Sequence, residues 1–253
     1  MSKEFIKNRK GQKVAVLIEQ NKNSKGLVFI MHGLSGYKEQ PHIEVMAEAF
    51  KGNGYTTVRF DTTNSFGESD GQYEDATTTN YYEDLEDLIA WSSKQTWYEE
   101  PFVLVGHSSG SMCILLYAEK YPKKIKALAP ISCAINDNLK EKLYTDESLK
   151  DWREKGIKES TSYSGKLKRL KWNFMVDAAK HDPLEKADVI TMPVLLIVGE
   201  KDTSTPLEYQ KEVKRAVKGE VELHIIKGAE HTFREKNELI ELENIIDKWI
   251  KKI

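Results

Sequence analysis

The stretch Phe102-Val103-Leu104-Val105-Gly106-His107-Ser108-Ser109-Gly110 constrains this chain more than any other. Its first four residues are apolar and read as a buried strand. They run into Gly-x-Ser-x-Gly, and Met112, Leu115, Leu116 and Ala118 follow at helical spacing. Strand, tight turn and helix, with a serine at the apex, is the context that a nucleophile elbow requires. The turn holds the serine in a strained backbone conformation. Gly106 and Gly110 are needed because a Cβ at either would collide with the adjoining strand and helix. Such a serine presents its hydroxyl before a helix N-terminus, whose N–H groups point at any oxyanion formed there.

Around this unit, strands and helices alternate. Apolar runs at 14–18 and 27–31, separated by the polar residues 21–26, are expected to form two strands of a hairpin. Ile43, Met46, Ala47 and Phe50 mark an amphipathic helix that stops at Gly52-Asn53-Gly54. Residues 56–60 read as a strand ending at Asp61, followed by a polar loop to 79. Tyr82, Leu85 and Ile89 give the next helix its apolar stripe, with Glu83, Asp84, Glu86 and Asp87 expected toward solvent. Strands at 125–132, 194–199 and 221–226 follow, with helices at 207–217 and around Leu239, Leu242, Ile245, Ile246 and Trp249. This pattern predicts an α/β fold: a mostly parallel twisted sheet with helices on both faces. Between 134 and 186 the alternation stops. No clean strand is expected there, and charges mix with Tyr144, Trp152, Tyr163, Trp172 and Phe174. A structureless loop of that length is improbable in a compact domain. The expected organisation is a core of 1–133 and 187–253 with 134–186 inserted as a lid.

A serine hydroxyl is a poor nucleophile until a base takes its proton, and the base needs an orienting acid. In this kind of sheet the three come in the order Ser, Asp or Glu, His, on loops at the C-terminal ends of strands. The loop after 194–199 carries Asp202 and the loop after 221–226 carries His231. Ser108, Asp202 and His231 are therefore the expected nucleophile, acid and base, with Glu200 and Glu230 as competing carboxylates. The expected oxyanion donors are the backbone N–H groups of Ser109 and of Leu34, on the loop after 27–31. His32 and His107 are expected to be structural, and His42, His181 and His224 show no partner pattern. Asp61 is expected to organise the loop after its strand.

These residues resemble the α/β-hydrolase family over nearly the whole chain. His32-Gly33, Arg59-Phe60-Asp61, the elbow pentapeptide, Asp182-Pro183-Leu184-Glu185, Gly199-Glu200-Lys201-Asp202 and Gly228-Ala229-Glu230-His231 are similar to small lidded carboxylesterases, among them feruloyl (cinnamoyl) esterases and monoacylglycerol lipases. The resemblance implies hydrolysis of aryl or short-to-medium acyl esters. In feruloyl-type members a lid aspartate and a lid tyrosine meet the phenol. Asp137 stands at about the matching distance, and Phe174 takes the aromatic position without a hydroxyl. Trp172 joins them as an expected roof over the substrate. Two departures stand out: Asn64-Ser65-Phe66-Gly67 replaces the usual Gly-His-Gly, and Ser111 follows Gly110 where a second glycine is usual.

The 253 residues hold 40% apolar and 31% charged side chains at a net charge of −2. That balance gives no reason to expect nucleic acid or an anionic membrane as a partner. No apolar run approaches a membrane span, and the first residues lack a signal peptide's apolar run. Two cysteines, Cys113 and Cys133, fit buried thiols in a reducing compartment, so the expected location is cytoplasmic. No metal-ligand spacing or phosphate-cradling loop is present, and no cofactor is implied. The expected partner is a small-molecule ester. A thioesterase or small peptidase would use the same residues, and a catalytically silent binding protein would lack one of them.

Overall fold

Strands buried on both faces need neighbours on both sides, and that need sets the order of the sheet. The computed structural model describes residues 1–135, 146–161, 165 and 167–253. Its strands are β1 (Ser2–Lys7), β2 (Lys13–Glu19), β3 (Leu27–Met31), β4 (Thr56–Phe60), β5 (Phe102–His107), β6 (Ile125–Ile131), β7 (Ile157–Thr161), β8 (Leu167–Lys171), β9 (Val194–Gly199) and β10 (Val221–Ile226). Eight form one sheet in the order β1-β2-β4-β3-β5-β6-β9-β10. From β4 to β10 all neighbours are parallel, while β2 is antiparallel to both β1 and β4. This is the α/β-hydrolase fold.

The expected hairpin between 14–18 and 27–31 does not form. β3 is buried along its whole length and takes β4 and β5 as neighbours, so β2 pairs with β4 instead. The hairpin partner of β2 is β1. Ile6 is the only buried residue of β1, so this edge strand carries no apolar run to betray it. Asn8 closes the turn, its Oδ1 accepting from the Lys10 and Gln12 amides at 3.0 Å each.

The helices are α1 (Pro41–Gly52), α2 (Thr78–Ser92), α3 (Ser109–Lys120), α4 (Glu147–Lys155), α5 (Asn173–Ala178), α6 (Leu207–Ala216) and α7 (Lys236–Ile250). Alternate residues of β5 face opposite ways, as a strand's period of two requires. Val103 and Val105 belong to one apolar cluster with Ile43, Met46 and Phe50 of α1 and Leu242, Ile246 and Trp249 of α7. Phe102 and Leu104 belong to the opposite cluster, with Leu85 and Leu88 of α2 and Ile114 and Leu115 of α3. Each fully buried large apolar side chain here contributes about 1.5–3 kcal/mol. Cys113 and Cys133 are free and buried.

Asp84 does not face solvent as expected. It is buried and accepts from Asn8 Nδ2 at 2.8 Å, from the Thr63 amide and hydroxyl at 2.7 Å each and from Asn80 Nδ2 at 3.0 Å. A carboxylate with that many donors can sit in the interior, and a helical wheel cannot distinguish it from a surface acid.

The segment expected to lack strands contains an antiparallel ribbon, β7 with β8. Half of its residues are charged and most are exposed, which is why periodicity missed it. The segment is braced from within and fastened to the residues at and before the start of α2. Trp152 of α4 is buried, donates Nε1–H to the Leu170 carbonyl at 2.9 Å and meets Trp172 edge to face at 5.5 Å. Lys171 pairs with Asp75 at 2.6 Å. Asp177 accepts from the Thr79 amide and hydroxyl at 2.8 Å each, placing a negative charge in the first turn of α2, where the helix dipole favours it.

Candidate active site

Ser108 follows β5, and its backbone sits at φ 54° and ψ −118°, the strained apex expected of the elbow. Both glycines are sterically required. A Cβ on Gly106 would lie 2.6 Å from the Gly110 carbonyl carbon, and one on Gly110 would lie 2.5 Å from the His32 oxygen. Ser111, standing where a glycine was expected, serves the turn: its Oγ lies 2.6 Å from the Gly106 oxygen and 2.9 Å from the Ile131 oxygen.

The loops after β9 and β10 bring Asp202 and His231 to this apex. Ser108 Oγ lies 2.9 Å from His231 Nε2, and His231 Nδ1 lies 2.8 Å from Asp202 Oδ2. The three form a continuous hydrogen-bonded chain from a fully buried carboxylate to a partly exposed imidazole. Asp202 Oδ1 accepts from the Ser204 amide at 2.9 Å and the Thr205 amide at 2.8 Å. Thr205 Oγ1 donates to Oδ2 at 2.8 Å. Burial alone would raise the Asp202 pKa. The hydrogen bond and charge of His231, with the Thr205 donors, outweigh it and hold the carboxyl below its usual value. Thr205 was not singled out from sequence, although a threonine three residues after a turn aspartate is a recognised way to satisfy its oxygens.

The competing carboxylates are engaged elsewhere. Glu200 Oε2 accepts from the Gly228 amide at 2.8 Å and so fastens the loop that carries His231. Glu230 is largely exposed and lies 3.6 Å from Arg234.

The loop after β3 lies against the serine. A Cβ on Gly33 would stand 3.0 Å from Ser108 Cβ, a tighter contact than side chains usually make, so glycine lets the loop lie close against the serine. Leu34 and Ser109 both line the cleft in front of Ser108. His32 is structural: its Nε2 accepts from the Thr62 amide at 3.1 Å, so Nδ1 carries the proton and donates to the Gly33 oxygen at 2.7 Å. Burial holds this imidazole below its usual pKa. Of the other histidines, His42 is buried with its pKa lowered by burial to about 3. His181 lies 2.7 Å from Thr79 Oγ1, and His224 lies 3.4 Å from Glu222.

Asp61 organises its loop as expected, with a partner that sequence did not suggest. Lys38 is fully buried, and its Nζ lies 2.8 Å from Asp61, 2.6 Å from Glu68 and 3.3 Å from Glu39. Asp61 also accepts from the Lys38 and Glu68 amides at 2.7 Å and 2.8 Å. Gly67 packs so closely that a Cβ would fall 2.0 Å from Asp61 Cγ. Asn64, the other departure from the usual pattern, turns the chain at φ 57° and bonds Asn80 at 3.0 Å.

Ser108 opens into a cleft of about 1130 Å³. One part of its wall is apolar, built by Leu34, Phe66, Tyr73, Met112, Ile135, Phe174 and Met175. Phe174 thus reaches the cleft as expected. Trp172 is not in its wall: it lies against Trp152. Asp137 lies outside the described residues, as do Tyr144 and Tyr163. Among the described residues no group of His, Cys, Asp and Glu could hold a metal ion, and no helix is long and apolar enough to cross a membrane.

A mostly parallel sheet with a strained serine after β5 and a carboxylate and histidine on later strand ends defines a serine-hydrolase-type α/β-hydrolase. The chain belongs to the family described as serine aminopeptidase, S33, whose profile matches residues 22–160. It is 27% identical over 234 residues to bovine (Bos taurus) palmitoyl-protein thioesterase ABHD10, mitochondrial, covering 91% of this chain and 74% of the relative. The mouse (Mus musculus) protein of the same name is 29% identical over 233 residues, covering 90% of this chain and 76% of the relative. Among solved structures, Est1E from Butyrivibrio proteoclasticus with ferulic acid bound matches with a TM-score of 0.84 at 25% identity, covering 98% of each chain. The alpha/beta hydrolase domain-containing protein 10 from mouse matches with a TM-score of 0.82 at 25% identity, covering 100% of this chain and 99% of that one.

Proposed function

We propose that this protein is a serine esterase that cleaves carboxylic esters through an acyl-enzyme. His231 takes the proton of Ser108 as its oxygen attacks the ester carbonyl, and Asp202 holds the imidazole in the required tautomer. The Leu34 and Ser109 N–H groups hold the oxyanion of the tetrahedral intermediate. His231 then protonates the leaving alcohol, and water releases the acyl group by the reverse roles. No cofactor takes part. The observation that carries this reading is the unbroken chain from Ser108 Oγ through His231 to Asp202, at 2.9 and 2.8 Å, opening into a partly apolar cleft.

The apolar wall suits an aryl or short-to-medium acyl group, and ferulic acid, bound in the similar Est1E, is an aryl acid. Segment 134–186 acts as a lid, contributing Phe174 and Met175 to that wall. Thioester hydrolysis is the second reading, favoured by the two relatives named as palmitoyl-protein thioesterases. The same machinery cleaves both bonds, so substrate choice rests on the cleft. Turnover of matched oxygen esters and thioesters, with acetyl, hydroxycinnamoyl, octanoyl and palmitoyl groups, separates them. The proposal expects the best kcat/KM on aryl or short-to-medium acyl oxygen esters. Activity confined to long-chain thioesters supports the second reading, and no activity on any of the panel refutes both.

A further inference from the structure

His107 occupies the position before Ser108, and its ring fills the space between the Gly33 loop and the His231 loop. Nε2 lies 2.9 Å from the main-chain oxygen of His231. A carbonyl only accepts, so Nε2 carries the proton. Burial, with His42 and His231 beside it, holds this imidazole well below its usual pKa, so the ring is neutral and Nδ1 is bare. On its other edge, a Cβ built on Gly33 would stand 3.1 Å from Nδ1. The His42 ring closes one side at 4.5 Å between centroids, and the His231 ring lies at 4.9 Å.

We propose that His107 is a positioning residue: by donating Nε2–H to the His231 carbonyl, it sets the distance of the base from Ser108 and spaces the base loop from the Gly33–Leu34 loop. This rests on the reading of Ser108 and His231 as nucleophile and base. Asp202 orients the imidazole through Nδ1, but the place of the His231 main chain is a separate matter. Glu200 and the Lys201 amide, which bonds the Ala229 oxygen at 2.8 Å, fasten the loop before His231. His107 fastens it at His231 itself. A main-chain shift of about 1 Å there would break the approach of Nε2 to Ser108 Oγ, a misplacement that costs about 100-fold in rate.

The test compares His107→Leu with His107→Gln, whose amide N–H can reach the same carbonyl. Both are assayed for kcat and KM on a small aryl acetate and for the rate of fluorophosphonate labelling. The Leu variant is expected to lose about 10- to 100-fold in kcat and in labelling rate with little change in KM, and the Gln variant to recover most of both. A Leu variant with wild-type kcat, or a Gln variant that falls as far as Leu, overturns the proposal. If the Leu variant does not melt cooperatively, the wild-type protein decides through the ring-nitrogen shifts of His107 in NMR spectra. A protonated, hydrogen-bonded Nε2 is expected, and a bare Nε2 overturns the proposal. A wild-type chain that neither hydrolyses the ester nor takes the label removes the underlying reading. Normal wild-type labelling with an indifferent Leu variant removes His107 alone.

Discussion

Asp202→Asn tests the proposed division of labour at single-atom level. Oδ1 of Asp202 faces two backbone donors, the Ser204 amide at 2.9 Å and the Thr205 amide at 2.8 Å. Both need an acceptor, so the asparagine oxygen must take that place, and its NH2 must take the place of Oδ2, facing His231 Nδ1 at about the present 2.8 Å. An NH2 donates, so Nδ1 becomes bare and the neutral imidazole carries its proton on Nε2. That proton then points at Ser108 Oγ, 2.9 Å away, and a protonated Nε2 cannot accept the hydroxyl proton. The expected loss is on the order of 10⁴ in kcat, about 5.5 kcal/mol of transition-state stabilisation, with KM changed little. Steady-state kinetics on an aryl ester measures it, with circular dichroism to verify the fold. Glu200→Gln, which keeps an acceptor for the Gly228 amide, should cost far less. The reasoning fails if Asp202→Asn stays within about 10-fold of wild type, or if Glu200→Gln is the crippling change.

Further consequences follow from other parts of the structure. Lys38→Met leaves the buried Asp61 carboxylate without its cation, and stability in urea should fall by about 3–5 kcal/mol. Glu119 is half-buried beside Asp182 and Glu185, and burial first, then those charges, push its pKa from 4.5 up to about 7. Its raised folded pKa favours the neutral form, so its stabilising contribution is complete below pH 4.5 and lost as pH rises through about 7. The melting temperature of Glu119→Gln relative to wild type should accordingly climb across that interval and level off above it, and an unchanged difference would contradict the assignment. Replacing Phe174 and Met175 together by alanine should raise KM for hydroxycinnamoyl and octanoyl esters well above any change for acetate esters, because the proposal sets only the larger acyl groups against that wall; equal changes would remove these residues from the substrate pocket.

The parts of this molecule that were legible in its sequence are those where a local pattern and a fold-level requirement coincide. β3 and β9 are continuous apolar runs because the sheet buries them, β4 and β10 set apolar and β-branched residues among polar ones, and the ends of all four were read correctly. Ser108, Asp202 and His231 were legible because each is the polar residue expected at a given distance beyond such a run, and the structure brings them together. β1, β7 and β8 were missed for the converse reason: edge and ribbon strands keep their charged residues in water and leave no apolar periodicity. Asp84 and Lys38 were misjudged or overlooked because a charge buried with partners has the same letter as a charge on the surface. Trp172 was expected in the cleft on the strength of its size, but an indole finds an equal apolar contact against Trp152. Strand order carried the same lesson, since β2 and β3 are adjacent in sequence and only the burial of β3 on both sides separates them in space.

The central claim is that Ser108, activated by His231, is the nucleophile. The most direct test is to react the protein with a fluorophosphonate, map the adduct by peptide mass spectrometry and measure ester turnover in Ser108→Ala and His231→Ala alongside. The account predicts a single adduct on Ser108, absent in Ser108→Ala and much slower in His231→Ala, with turnover down by about 10⁴-fold or more in both folded variants. An adduct on another residue, or near-normal turnover by Ser108→Ala, would contradict it.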